Sequence, residues 1–522
     1  MSLPWFYPDR VSVAPGDELA IHASAPPGLY HLKISRVGST NELKSTVEDI
    51  AIDQGEIPAN VESCGCNWPV VLRFTIPADW KTGYYDLYLA GAEGEGTHHF
   101  FNLKPGPGKP RSRAAIVLAT NTYQAYNYWG GANSYAHVEK LMRGEVDAAG
   151  SEQEAKGRLS RMRPYAQGLL MPRLGQPRLV NPAPRELGMA AHPATPEWMA
   201  EHQPSPYDFS ACFVGKWEHA FVCWAEENGV ELDYFTDQDL EAGAGILDPY
   251  RAVFLVGHSE YWSAPARDAI DSLHEAGGNL IVFSGNTAYW KVRWEEDGQV
   301  MAVHKWRGES DDPLWGTPEE GRDGTHMWSH PAFGRPEAEM TGLSFLYGGY
   351  HRLGLCVGRG SAAYTIYDDK HWALEGTDLY YGDCIGGDIP LVGYENDGCP
   401  IRFDRRGLPA PDGGFGVPDD LSIIALAPAT LFEDPAAPYP PIVPPGDIAI
   451  LARIAHGEDN PVNREHLQHG HAVMASFRRG NGEVFNAGTT EWVHGLAAGD
   501  PYVDRITRNV LTRFGVPIGT AD

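Results

Sequence analysis

The sequence predicts an antiparallel β-sandwich over residues 1–107, followed over 112–522 by an α/β domain built on a doubly wound, mostly parallel sheet. Three observations predict it. Residues 1 to about 105 carry short runs of period-two alternation between Pro and Gly signals, as in VSVAPGDELAIHAS, YHLKISRVG, PVVLRFTIP and GYYDLYLAG. Beyond 113, near-continuous apolar runs alternate with amphipathic stretches: AAIVLAT, KWEHAFVCWAEENG into VELDYFT, YRAVFLVGH, then SAPARDAIDSLHEAGG into NLIVFSG. Strand, helix and strand with short links describe a parallel sheet covered on both faces. Between the two textures lies LKPGPGKPRSR, whose Pro, Gly and basic residues mark a boundary.

Residues from about 310 to 450 are less regular, with GLPAPDGGFGVPDD and DPAAPYPPIVPPGD, yet Trp and Tyr recur there. This reads as an elaboration of the α/β domain rather than a disordered linker. The chain then returns to a strand, GEVFNAG, and a closing helix, PYVDRITRNVLTRFG.

Composition narrows the function classes. The 522 residues are 43% hydrophobic, enough for a large core, and 59 Gly and 41 Pro call for many turns. The 41 Lys and Arg against 69 Asp and Glu give a net charge of -28, which argues against nucleic acid and favours a neutral or cationic small substrate. Seven cysteines, an odd number without ribbon or scaffold spacing, suggest reduced thiols in a cytoplasm. Neither a leader peptide nor a membrane-spanning apolar run is visible, so no membrane partner is expected.

Ligands of open α/β sheets gather beyond the carboxyl ends of the strands. Here those ends are rich in aromatic and polar residues: NTYQAYNYWGG after AAIVLAT, HSEYW after AVFLVG, and NTAYW after LIVFSG. His258 and Glu260, two apart on extended backbone, would share one side and offer an imidazole and a carboxylate for metal binding or acid/base work. Ser259 tempts toward a nucleophile elbow, but Tyr261 occupies the position that needs a small residue.

TYQAYNYWGGANSYA at 122–136, MRPY at 162–165, GHSEYW at 257–262, SGNTAYW at 284–290 and VGYENDG at 392–398 follow one another in an order that resembles the N,N-dimethylformamidase beta subunit-like family in its C-terminal catalytic domain, over most of residues 110–510. The resemblance implies a glutamine-amidotransferase-like sheet, hydrolysis of a small N-alkyl amide, and a mononuclear ferric iron held by Tyr126, Tyr165 and Glu260. Tyr123 and Tyr128 lie close enough to Tyr126 to compete with it. His258, Asn286 and Lys305 would support the centre, and Glu395 would act as acid/base. The family's quaternary structure does not carry over, and a homo-oligomer is expected, with a separate small subunit left open.

The chemistry of these side chains agrees. Phenolate and carboxylate are hard anionic oxygen donors, and three of them neutralise a trivalent cation, whereas zinc favours nitrogen and sulfur. An amide needs a polarised carbonyl, an activated water and a proton for the leaving amine. Two rival readings are a serine hydrolase using Ser259 with His258 or His494, and a non-enzymatic protein that binds carbohydrate or another small molecule. Glu491 in TTEWVHGL reads as structural, because no Gly-x-Cys-x-Gly nucleophile turn accompanies it, and no Gly-rich nucleotide loop is present.

Overall fold

A computed structural model describes residues 3–92, 94–106, 112–135, 156–171, 212–350, 362–387, 389–431 and 445–519. The expected boundary segment at 107–111, much of DPAAPYPPIVPPGD and Cys356 lie outside them.

The first hundred residues form two sheets. Trp5–Pro8, Glu18–Ser24 and Val70–Thr75 make an antiparallel three-stranded sheet in the order first, second, third. The second runs Ser12–Val13, Thr97–Leu103, Gly83–Gly91, Gly28–Val37, Asn41–Ile52, antiparallel throughout except at its first pair. Leu19, Ile21, Leu32, Ile34, Leu87 and Phe101 bury one shared apolar cluster between the sheets. Because side chains alternate across a strand, the opposite face of the larger sheet is also apolar. There Tyr84 stacks on Phe213 at 4.3 Å and Phe100 meets Tyr123 at 5.8 Å.

The centre of the molecule is a nine-stranded sheet in the order Leu232–Thr236, Ala114–Leu118, Ala252–Gly257, Asn279–Ser284, Gly482–Asn486, Gly470–Arg479, Ser422–Ala429, Tyr364–Ile366, Cys384–Ile385. The first five strands pair in parallel, and every later pairing is antiparallel. Alternation again divides the side chains. Ala114, Ile116, Phe254, Val256, Ile281 and Phe283 enter one core, with Phe221 and Trp492 from helices on that side. Ala115, Val117, Val253, Leu255, Leu280 and Val282 enter another, with Ile270 and Leu273 of the Ala264–Glu275 helix. That helix starts where Ser263 Oγ accepts the Ala266 N–H and Pro265 occupies the first turn, and it stops before Gly277 at φ +86°.

This corrects the expected fold class. Among the described residues, strand exceeds helix, 33% against 22%, the strands spread over several mixed and antiparallel sheets, and no doubly wound, mostly parallel arrangement results. The reason is local. The expectation rested on the segment 114–284, where parallel pairing holds. Ser422–Ala429 and Gly470–Arg479 are equally apolar because cores cover both faces, so their sequences do not betray antiparallel pairing. No helix among the described residues is long and apolar enough to cross a membrane.

Candidate functional site at the strand ends

Ala252–Gly257 ends on Gly257 at φ +77°, where a Cβ would lie 2.7 Å from Trp217 Cβ, so only glycine fits this exit. The chain then presents His258 and Glu260, 0% and 3% exposed. As the spacing predicts, they face one another: His258 Nε2 lies 3.1 Å from Glu260 Oε2. The same nitrogen is 3.0 Å from Glu395 Oε2, which arrives just before the short strand Asn396–Gly398. Asn286, after Asn279–Ser284, places its Nδ2 3.3 Å from Glu260 Oε1 and 3.3 Å from Glu395 Oε1. Its Oδ1 is buried without a hydrogen-bond partner among the described residues.

Phenols ring this cluster. Tyr126, the last residue of the Thr120–Tyr126 helix, sets its hydroxyl 3.3 Å from His258 Nε2. Tyr135 OH donates toward both Glu260 oxygens, at 3.0 and 2.8 Å, and accepts the Tyr261 hydroxyl at 2.6 Å. Tyr394 packs edge-on against His258 at 5.9 Å, and Tyr350 meets Tyr394 at 6.0 Å. Lys305 Nζ lies 3.1 Å from the centroid of the Tyr135 ring and 3.4 Å from Ser134 O. Asn286, Ala288 and Lys305 have φ of +53°, +54° and +53°, a left-handed conformation that concentrates at functional sites because it costs of order 1–3 kcal/mol per non-glycine residue.

The electrostatics follow from burial. Desolvation opposes charge on His258, but Glu395 and Glu260 outweigh it and hold the imidazole up at about 10, so it is an imidazolium. Burial raises Glu395 despite that cation. Burial, then the neighbouring acidic groups, push the phenols of Tyr126, Tyr135, Tyr261, Tyr350 and Tyr394 well above 10.0, so they are protonated in this structure.

Of the expected residues, Tyr126, His258, Glu260, Asn286, Lys305 and Glu395 converge. Tyr123 turns away and donates to Glu218, and Tyr128 packs at the edge of the apolar core. Tyr165 is not brought into the cluster. Its ring packs on His99 at 4.9 Å and Phe100 at 5.8 Å of the Thr97–Leu103 strand, and none of its contacts among the described residues is to Tyr126, His258 or Glu260. Ser259 Oγ takes the Trp262 indole N–H at 3.0 Å, while His494 pairs with Glu491 at 3.4 Å, so neither geometry makes Ser259 a nucleophile.

Sequence reasoning missed Tyr135, Tyr261 and Tyr394, although each stands inside a quoted motif and two directly adjoin the glutamates. It also missed Arg163 of MRPY. This side chain is fully buried and donates to Asn127 O at 2.8 Å, Trp129 O at 2.5 Å and Ser160 O at 3.0 Å, tying down the loop between Tyr126 and Tyr135.

Residues 30–505 match the family described as N,N-dimethylformamidase beta subunit-like, C-terminal. The match begins well before residue 110 and so takes in most of the N-terminal strands. The N,N-dimethylformamidase beta subunit of Alcaligenes sp is 23% identical over 477 residues, covering 86% of this chain and 54% of that protein. The chain thus spans about half the length of this curated relative. By the extent of that match, the chain belongs to the N,N-dimethylformamidase beta subunit-like family.

Proposed function

We propose that the chain hydrolyses a small, uncharged N-alkyl amide at this cluster, with a ferric ion as its resident metal. The observation that carries the reading is the meeting of two buried carboxyl groups and one imidazole inside a ring of phenols. The carboxylates and the phenol oxygens around them make an oxygen-rich donor set out of water, and the buried ammonium of Lys305 beside Tyr135 favours the deprotonated form of that ring. The donors nearest Glu260 are phenol oxygens, a hard set that fits ferric iron better than zinc. With His258 paired to both carboxylates, the phenols beside Glu260 are the nearest further oxygen donors.

Glu260 and Tyr126 would hold the metal, with Tyr135 as the second phenol; Tyr165 would have to leave its packing on Phe100 to join them. The metal supplies Lewis acidity and keeps its phenols deprotonated. The chain's own groups do the rest. Glu395, whose buried carboxyl binds a proton more readily than an exposed one, accepts a proton from water and returns it to the departing amine. Asn286 Nδ2 and the His258 imidazolium stabilise the oxyanion that develops at the carbonyl. Tyr394, Tyr350 and Trp217 wall the cluster with rings that suit a compact uncharged substrate. The relative is named as a beta subunit, which supports assembly of this chain into an oligomer.

Elemental analysis and amine release from N,N-dimethylformamide test the reading together. Near-stoichiometric iron and turnover in the wild type, both lost in Glu260→Gln with an unchanged melting temperature, are expected. Metal-free protein with turnover intact, or no turnover of any small amide by iron-loaded protein, would overturn it.

A further inference from the structure

The loop after Asn279–Ser284 is held by a residue outside the reacting cluster. In the sequence YENDG, alternation along the short strand puts Glu395 and Asp397 on one side and Asn396 on the other. Asn396 accordingly turns away, with its Nδ2 on Gly349 O at 3.1 Å. Asp397 is 0% exposed, and its carboxylate receives two successive backbone N–H groups, Asn286 N on Oδ1 at 2.8 Å and Thr287 N on Oδ2 at 3.2 Å. Successive amides closing on one anion form a nest, a fixed concavity that the anion stabilises.

The turn so held is strained. Asn286 and Ala288 both have positive φ, and asparagine tolerates this where alanine does not. Its place in the fold is also fixed: a Cβ on Gly285 would lie 2.1 Å from Glu395 O, so the two segments touch backbone to backbone. The turn delivers two groups to the cluster. One is the Asn286 amide, set between Glu260 and Glu395. The other is the Gly285 carbonyl, 3.3 Å from His258 Nδ1, which fixes the ring so that Nε2 faces the carboxylates.

We infer that Asp397 is a positioning residue for the reaction: it touches no reacting atom, and by gripping the Asn286–Thr287 amides it sets the Asn286 carboxamide and the His258 ring against the carboxylate pair. The inference rests on the hydrolytic reading of this cluster. Asp397→Asn keeps the shape but offers an acceptor to only one of the two amides, so the turn relaxes and Asn286 moves. A displacement near 1 Å in such a site costs on the order of 100-fold in rate.

The test is a kinetic cycle on the iron-loaded protein with N,N-dimethylformamide as probe, joined to a crystal structure of Asp397→Asn. The expected result is a fall in kcat on the order of 100-fold with KM nearly unchanged, and little further fall when Asp397→Asn is added to Asn286→Ala. Ala288→Gly should restore part of the loss, since glycine adopts the positive φ without the carboxylate's help. Equal losses in the wild-type and Asn286→Ala backgrounds would overturn the inference, as would an Asn286 amide unmoved in the variant. Failure of Asp397→Asn to fold both with and without Ala288→Gly would also overturn it, because Asp397 would then serve the fold and not the turn. A wild type inactive on amides would defeat the functional reading alone, and the crystal structure would still decide whether Asp397 places Asn286.

Discussion

Glu218 lies beneath the site and gives the sharpest test of how the fold supports it. It is 2% exposed, accepts the Ala119 N–H on Oε1 at 2.8 Å and the Tyr123 hydroxyl on Oε2, and so anchors the start of the helix that ends at Tyr126. Burial raises its pKa from 4.5 to about 8, against the Tyr123 and Ala119 hydrogen bonds that lower it, and the nearby Asp237 adds to the rise. In the unfolded chain the carboxyl ionises near 4.5, so between pH 4.5 and 8 only the folded state keeps the proton. The folded state is therefore fully favoured below about pH 4.5 and loses about 1.4 kcal/mol per pH decade up to about pH 8. Across that window the loss approaches about 5 kcal/mol. Glu218→Gln keeps an acceptor for Ala119 and a partner for Tyr123 but cannot ionise. Chaotrope unfolding at pH 5, 6.5 and 8 should show the variant gaining on the wild type by several kcal/mol as pH rises. An unfolding-midpoint difference that stays constant from pH 5 to 8 would refute the reasoning.

Arg163→Met should cost about 3–5 kcal/mol in unfolding experiments, because it strips the buried donor from the Asn127, Trp129 and Ser160 carbonyls; a loss below about 1 kcal/mol would mean that water replaces it. Gly257→Ala should lower both the melting temperature and kcat, since the new methyl meets Trp217 at a backbone that alanine resists, and an active, equally stable variant would contradict the tight exit from Ala252–Gly257. Tyr135→Phe removes the hydroxyl on both Glu260 oxygens and should reduce bound iron while leaving the fold intact, as read by elemental analysis and thermal melting. Ser259→Ala should leave turnover within a few-fold of wild type, because Ser259 Oγ is occupied by the Trp262 indole.

How much of this was legible in the sequence depends on the range of each interaction. His258 and Glu260 were readable because their pairing is set by two-residue spacing on one strand end; Asn286 stands at another strand end, and Glu395 was marked only by the resemblance of VGYENDG to its family. The antiparallel half of the large sheet was not readable, since burial on both faces erases the polar alternation that usually marks it. Nor was Tyr135, whose approach to Glu260 depends on the loop that Arg163 ties down, a contact between residues far apart in the chain. The placement of Tyr165 against His99 and Phe100 was equally hidden, because it depends on the N-terminal sheet packing over the rest of the core.

The most direct test of the central claim is amine release from N,N-dimethylformamide and related small N-alkyl amides by iron-loaded protein, with Glu395→Gln measured beside the wild type at equal melting temperature. Turnover in the wild type that falls at least about 100-fold in the variant is the predicted result, in keeping with the weight of a general acid–base group. Equal turnover in both proteins, or none in the wild type with iron bound, would contradict it.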